Sequence, residues 1–300
     1  MNRREALVAI SAAAWASLRP SESHAAQIAM RTIPASGERI PAIGLGTWIT
    51  FDVGPGEARR ARGDVLAAFF AAGGRLIDSS PMYGESEDTV GSEYARLGKP
   101  AALFAATKVW TVGALAGRRQ IEKSRALWRL ARFDLLQVHN MLDWEAHFAT
   151  LEEMKAQGRV RYIGVTTSHG RRHDLLEQIM TRAPLDFAQF TYNLADREAE
   201  QRLLPVAAER RLAVIINRPF DGGDLFGAKT RGPLPGWAAQ IGCASWAEAF
   251  LKFVISQPAV TCAIPATSRV AHLRENMRAL LGPLPDAALR RRIRADYERL

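Results

Sequence analysis

The chain has 300 residues, of which 48% are hydrophobic and 24% charged, enough to bury a large core and too apolar for long-range disorder. Its two cysteines, Cys243 and Cys262, exclude a disulfide scaffold, and with no His cluster near them no metal site is expected. The formal net charge of +9 raises the question of nucleic acid, but the arginines are scattered over what read as outer helix faces. Neither a recognition motif nor an aromatic-interleaved patch accompanies them, so no nucleic-acid partner is expected.

Residues 1–26 form a separate unit. Arg3 and Arg4 precede a short apolar run from Ala6 to Leu18, and small residues follow in "SHAA". This is the order of an n-region, an h-region and a cleavage site. The run falls short of the ~20 apolar residues that span a bilayer, and no later segment could span one. The paired arginines resemble a twin-arginine export signal, although Ala6 stands where that motif usually has a large apolar residue. The expected partner is export machinery and the expected location periplasmic or exported. The alternatives are an ordinary secretory signal or a non-functional one on a cytoplasmic protein.

From residue 28 a single domain is predicted to run to residue 300. "IAMRTIPASGERIPA" (28–42) reads as a short hairpin turning at "ASGE". Eight apolar runs follow: "PAIGLGTW", "RLIDSS", "ALFAATKVW", "DLLQVHN", "VRYIGVTT", "DFAQFTYN", "LAVIINRP" and "TCAIPAT". Each is bounded by Gly, Pro or charge and apolar on both sides, the pattern of buried parallel strands. Between them lie segments of helical period. Trp144, Phe148, Leu151 and Met154 share one face, and Trp246, Ala249, Phe250 and Phe253 another. "ADREAEQRLLPVAAERR" reads as a helix that Pro205 should kink. Eight strand–helix units over roughly 250 residues match a closed (β/α)8 TIM barrel, an α/β fold. An open doubly wound sheet is the weaker alternative, because no G-x-G-x-x-G loop opens a first helix.

Chemistry in such a barrel gathers at the carboxyl ends of the strands. Asp78 and Tyr83 follow the second strand, Lys108 and Trp110 the third, and His139 the fourth. A phenol, with a pKa of about 10, protonates a carbonyl poorly. A neighbouring ammonium should lower that pKa, and a carboxylate should balance the ammonium. The imidazole can donate to the carbonyl oxygen and orient it. No side chain carries a hydride, so a cofactor must supply one.

These segments resemble the aldo-keto reductases over nearly the whole chain after residue 28. "LIDSSPMYGESE" is similar to the family's Asp-x-x-x-x-Tyr-Gly segment, "ATKVW" to its lysine strand, "LLQVHN" to its histidine strand and "GLGTW" to its first strand. The resemblance implies Asp78, Tyr83, Lys108 and His139 as the catalytic set. It further implies a nicotinamide dinucleotide lying across the barrel mouth without a Rossmann fold, with a small carbonyl or alcohol as substrate.

By the same resemblance, Gly46 and Thr47 lie beside the cofactor, and Thr166, Thr167 and Gln189 hold its carboxamide. Thr166-Thr167 replaces the family's frequent Ser-Asn. Asn217, followed by Arg218, stands where an aromatic residue usually stacks on the nicotinamide. Phe220 and Gly222 fall along the pyrophosphate path. Thr267, Ser268, Arg269, His272 and Asn276 fall at the adenosine end. Relatives selective for the 2′-phosphate often carry Lys and Arg where this chain has Ala266 and His272, with Arg269 as the compensating cation. NADP is expected, with NAD as the alternative. Trp48, Trp110 and Asn140 are expected to wall a shallow, open substrate pocket. Two other readings stay open: a lyase forming a Schiff base on Lys108, and a nicotinamide-binding redox sensor with little turnover.

Overall fold

The computed structural model describes residues 28–227 and 230–299; the export signal read at residues 1–26 lies outside the described residues. Strands β1 (Met30–Thr32) and β2 (Arg39–Pro41) pair antiparallel as the expected hairpin. The chain then alternates through β3 (Leu45–Gly46), α1 (Glu57–Ala71), β4 (Leu76–Asp78), α2 (Ser86–Arg96), β5 (Phe104–Val109) and α3 (Ala114–Trp128). It continues with β6 (Phe133–Val138), α4 (Trp144–Ala156), β7 (Val160–Thr166), α5 (His173–Arg182), β8 (Phe187–Thr191) and α6 (Leu203–Glu209). Strand β9 (Ala213–Asn217), α7 (Trp237–Gln240), α8 (Trp246–Ile255), β10 (Cys262–Ala263), α9 (Val270–Arg278) and α10 (Ala287–Arg299) complete it.

Strands β3 to β10 form one parallel sheet in sequential order. Parallel bridges Ile43↔Ala263 and Gly46↔Ala266 join its two edges, so the sheet closes on itself. All eight apolar runs of the sequence are barrel strands. Glycine makes the closure possible. A Cβ on Gly44 would sit 2.7 Å from the Leu76 carbonyl oxygen, and one on Gly46 would sit 2.7 Å from that of Ile264. At these two positions the backbone runs too close to its neighbours for a side chain.

Alternation along the strands stacks the barrel interior in layers. On β4 the inward residues are Leu76, Asp78 and then Ser80. On β5 they are Phe104, Ala106 and Lys108, and on β6 they are Leu135, Gln137 and then His139. Leu76, Phe104 and Leu135 join Tyr162, Phe187, Ile215 and the hairpin's Ile33 and Ile40 in one dry cluster. The hairpin thus plugs the amino-terminal end, where Tyr162 donates to Ser36 (2.6 Å) and Arg75 pairs with Glu38 (3.0 Å). Polar side chains begin one layer above, towards the carboxyl end.

Helices cover the outside. On α2, the buried Glu87 accepts from Thr107 (2.6 Å), Ser124 (2.7 Å) and Trp128 (3.1 Å), tying that helix to β5 and α3. Burial raises its pKa, and those three donors oppose the rise. The expected kink at Pro205 does not occur. A short 3-10 turn at Glu198–Glu200 ends first, and α6 starts at Leu203, which places Pro205 in its first turn. The N–H groups of a first turn have no partner within the helix, so proline removes nothing there. The basic segment at the chain end is α10, whose Ile293 and Tyr297 are buried. Among the described residues no helix is long and apolar enough to cross a membrane.

Candidate active site

The site begins with a charge pair in the dry centre. Lys108 Nζ donates to Asp78 Oδ2 at 2.5 Å and to the Ser79 carbonyl at 2.7 Å, with both side chains almost fully buried. Gln137 and Gln189 complete the carboxylate's shell, donating to Asp78 at 3.2 and 3.4 Å. Burial by itself pulls the Lys108 pKa down. Asp78, and next Tyr83, outweigh it and hold the amine's pKa above its usual value. Lys108 is therefore an ammonium at neutral pH.

Tyr83 reaches this pair from the loop after β4. Its ring centroid lies 5.1 Å from Lys108 Nζ, and its ring meets that of His139 edge-on at 5.7 Å. Asp78, Tyr83, Lys108 and His139, expected to converge from three adjacent strands, do converge. One expectation is overturned. The Tyr83 pKa is raised rather than lowered, because burial outweighs the opposing pull of Lys108 and Asp78 adds to the rise. The ammonium offsets part of the desolvation cost of the phenolate without cancelling it. His139 is pushed well below its usual 6.5, by burial first and the Lys108 charge second, so its ring is neutral. Ser80 Oγ lies 2.9 Å from His139 Nδ1.

The residues around this centre fall into two groups. Gly46, Thr47, Thr166, Thr167, Gln189 and Thr267 are buried along the strands and their ends, and Asn276 is buried on α9. Thr47 is a brace, donating to the Asp78 carbonyl (3.0 Å) and lying 2.9 Å from Ser79 Oγ. Gln189 carries a buried Oε1 with no hydrogen-bond partner, and so does Gln137. A buried carbonyl oxygen left unpaired costs ~1–3 kcal/mol, which a ligand donor would recover. Thr167 and Asn217 are already engaged. Asn217 donates to the Thr167 carbonyl (2.8 Å) and accepts from Thr191 (2.7 Å), while Thr167 donates to the Arg171 carbonyl (2.7 Å).

The second group borders the mouth. Arg218 is no free surface cation. It pairs with Asp221 at 2.9 Å, keeps a buried Nε without a partner, and packs where a Cβ on Gly222 would fall (3.1 Å). The Phe220 ring lies tilted at 5.0 Å from that of Phe226, which anchors this loop to α8 through Phe250. Ser268, Arg269 and His272 stand at the start of α9, where Thr267 Oγ1 accepts from the Arg269 N–H at 3.2 Å. Arg269 and His272 are exposed. Trp48 and Trp110 are 45% and 40% exposed, and Ile49 and Val112 beside them are more open still. Asn140 follows His139 at the rim, half-buried. No group of His, Cys, Asp or Glu able to hold a metal occurs among the described residues.

Ser80, Gln137 and Glu87 are not among the site residues expected from the sequence. Alternation could have found the first two, since each lies two residues from an expected catalytic position on the same face of its strand.

Fold and mouth together define a (β/α)8 barrel with a buried, ion-paired amine and a phenol at its carboxyl rim. The sequence model for the Aldo/keto reductase family matches residues 42–293. The aldo-keto reductase YhdN of Bacillus subtilis (strain 168) is 31% identical over 215 residues, covering 66% of this chain and 64% of YhdN. The NADH-specific methylglyoxal reductase of Escherichia coli (strain K12) is 29% identical over 232 residues, covering 65% of this chain and 68% of that protein. An aldo/keto reductase from Klebsiella pneumoniae, solved in complex with NADP and acetate, matches with a TM-score of 0.74 at 24% identity. That match covers 88% of this chain and 94% of the other. The chain belongs to the aldo/keto reductase family.

Proposed function

We propose that this protein is a nicotinamide-dependent oxidoreductase that interconverts a small aldehyde or ketone and its alcohol. The observation that carries the reading is the buried Asp78–Lys108 pair set against the Tyr83 ring. In reduction, Tyr83 gives its hydroxyl proton to the carbonyl oxygen as negative charge develops there. Lys108 stabilises the phenolate left behind, and Asp78 keeps Lys108 charged and fixed. His139, neutral, donates a hydrogen bond that orients the oxygen. Trp48 and Trp110 exclude water from the apolar side of the substrate.

A bound nicotinamide dinucleotide would supply or accept the hydride. The unpartnered Gln189 Oε1 fits the carboxamide of such a group, with Thr166 beside it. Thr267, Ser268 and Arg269 at the start of α9 fit an anionic adenosine end, since a helix N-terminus favours negative charge. Gly46, Thr47 and Gly222 would let it approach the backbone, while Arg218, Phe220, His272 and Asn276 would border it. Thr167 and Asn217 fit less well, being bonded to each other. The Klebsiella relative was solved with NADP, whereas the Escherichia relative is described as NADH-specific. Arg269 favours the 2′-phosphate, so NADP is proposed with NAD as the alternative.

The Schiff-base reading is weaker, because Lys108 is held as an ammonium by Asp78 and has no free lone pair. The deciding experiment follows absorbance at the reduced-nicotinamide band, with NADPH and with NADH, across a panel of aldehydes and ketones. Carbonyl-dependent oxidation, faster with NADPH and spread over several substrates, supports the reading and the open pocket. Tight binding without oxidation would favour a redox sensor. Residues 1–26 are proposed to direct twin-arginine export to the periplasm. Replacing Arg3 and Arg4 by Lys should then retain the protein in the cytoplasmic fraction.

A further inference from the structure

We propose that Ser80 is a positioning residue that fixes the His139 imidazole in the tautomer with its proton on Nε2. The proposal rests on the reductase reading, in which His139 must donate to the substrate oxygen. A neutral imidazole has one donor nitrogen and one acceptor, and the partner of one nitrogen decides which is which. Ser80 Oγ lies 2.9 Å from His139 Nδ1, and both side chains are buried.

A hydroxyl can play either role towards Nδ1, so its other contacts decide. The Met82 N–H donates to Ser80 Oγ at 3.4 Å and takes one of its two lone pairs, leaving the hydroxyl proton to be placed. The hydroxyl proton therefore needs an acceptor. Ser80 is fully buried, and among its hydrogen bonds His139 Nδ1 is the one acceptor available to it. If Nδ1 carried the proton instead, two N–H groups would face Ser80 Oγ and its own proton would be stranded away from water. With Ser80 donating, Nδ1 accepts and the ring proton sits on Nε2, the nitrogen left to meet a substrate. Burial, and after it the Lys108 charge, reinforces the arrangement by disfavouring a second proton on the ring. Strand geometry builds this device in. Asp78 and Ser80 share the inward face at the end of β4, so one segment pairs with the Lys108 ammonium and orients His139.

The test is nitrogen-15 NMR of the full chain labelled at histidine, with His139 assigned by loss of its signals in His139→Asn. The wild type at pH 7.5 should show Nδ1 with the shift of an unprotonated acceptor and Nε2 with that of a protonated nitrogen. Ser80→Ala should give a tautomer mixture and about a tenfold or larger fall in kcat at unchanged cofactor affinity, short of the ~10²–10⁴ that a positioned acid–base group itself contributes. Ser80→Thr, which keeps the hydroxyl, should restore both the single tautomer and most of the turnover. A wild-type spectrum with the proton on Nδ1 would overturn the proposal without any variant. So would an unaltered tautomer in Ser80→Ala. The spectrum is read without substrate, so it stands apart from the reductase reading, which fails instead if no carbonyl is reduced.

Discussion

The two ends of the barrel use the same kinds of residue to opposite purposes. At the amino-terminal end, Glu38 receives Arg75 and Arg161, Asp134 receives Arg161, and Tyr162 donates to Ser36. These charges are paired at a partly solvated surface, and the hairpin's Ile33 and Ile40 seal the interior beneath them. At the carboxyl end the charges are drier and the polar groups less satisfied. Asp78 and Lys108 are buried, and the Gln137 and Gln189 oxygens have no partner. Backbone strain divides the same way. Ile49, Asn140, Met141, Asp143, His169, Arg172, Arg218 and Asp221, all with positive φ, lie in loops at the mouth, whereas Lys99, Arg129 and Arg211 merely follow helices. A β-branched residue such as Ile49 avoids that region unless its surroundings impose it. One end of the barrel is built for stability, and the other holds unspent polar capacity and strain where a ligand would enter.

Substitutions can break this contrast. Lys108→Met should have the largest effect, stranding Asp78 as an unpaired buried charge. A loss of about 3–5 kcal/mol in urea unfolding is expected, together with near-complete loss of turnover. Gly46→Ala forces a Cβ against the Ile264 carbonyl and should cost ~1–3 kcal/mol by opening the barrel seam, measured the same way. Tyr162→Phe removes a hydrogen bond at the plugged end and should cost about 1 kcal/mol while leaving kcat unchanged. Equal loss of turnover in Tyr162→Phe and Lys108→Met would contradict the division of labour between the ends.

The smallest effect at neutral pH concerns His139, whose pKa is lower in the folded protein than in the unfolded chain. Below about pH 6.5 the unfolded chain takes up a proton that the folded site refuses, so stability falls as pH falls; above that value the group contributes no slope. The stability of the wild type relative to His139→Asn should be flat above pH 7 and should decline on acidification from pH 6.5. A flat difference down to pH 5 would show that His139 is not held neutral.

Much of this was legible in the sequence because burial writes a strong pattern. Short apolar runs bounded by Gly, Pro or charge, such as "LIDSS" and "FAATKVW", read as buried parallel strands, and their last inward residues name the mouth. Pro205 was misread because its effect depends on where the helix starts, and no cap signal marked Leu203. The Tyr83 pKa was misjudged because charge is visible in a sequence and depth is not. Asn217, expected beside the cofactor where an aromatic ring usually stacks, instead bonds Thr191 and Thr167. Pairings of that kind depend on register, which β7, β8 and β9 acquire only on folding together.

Tyr83 is the proposed proton donor, set over a buried ammonium. The most direct measurement is single-turnover oxidation of bound NADPH by an aldehyde in the wild type and in Tyr83→Phe, with NADPH affinity determined for both. Affinity should be nearly equal, and the rate in Tyr83→Phe should fall by about 10²–10⁴. An unchanged rate in Tyr83→Phe would contradict that role.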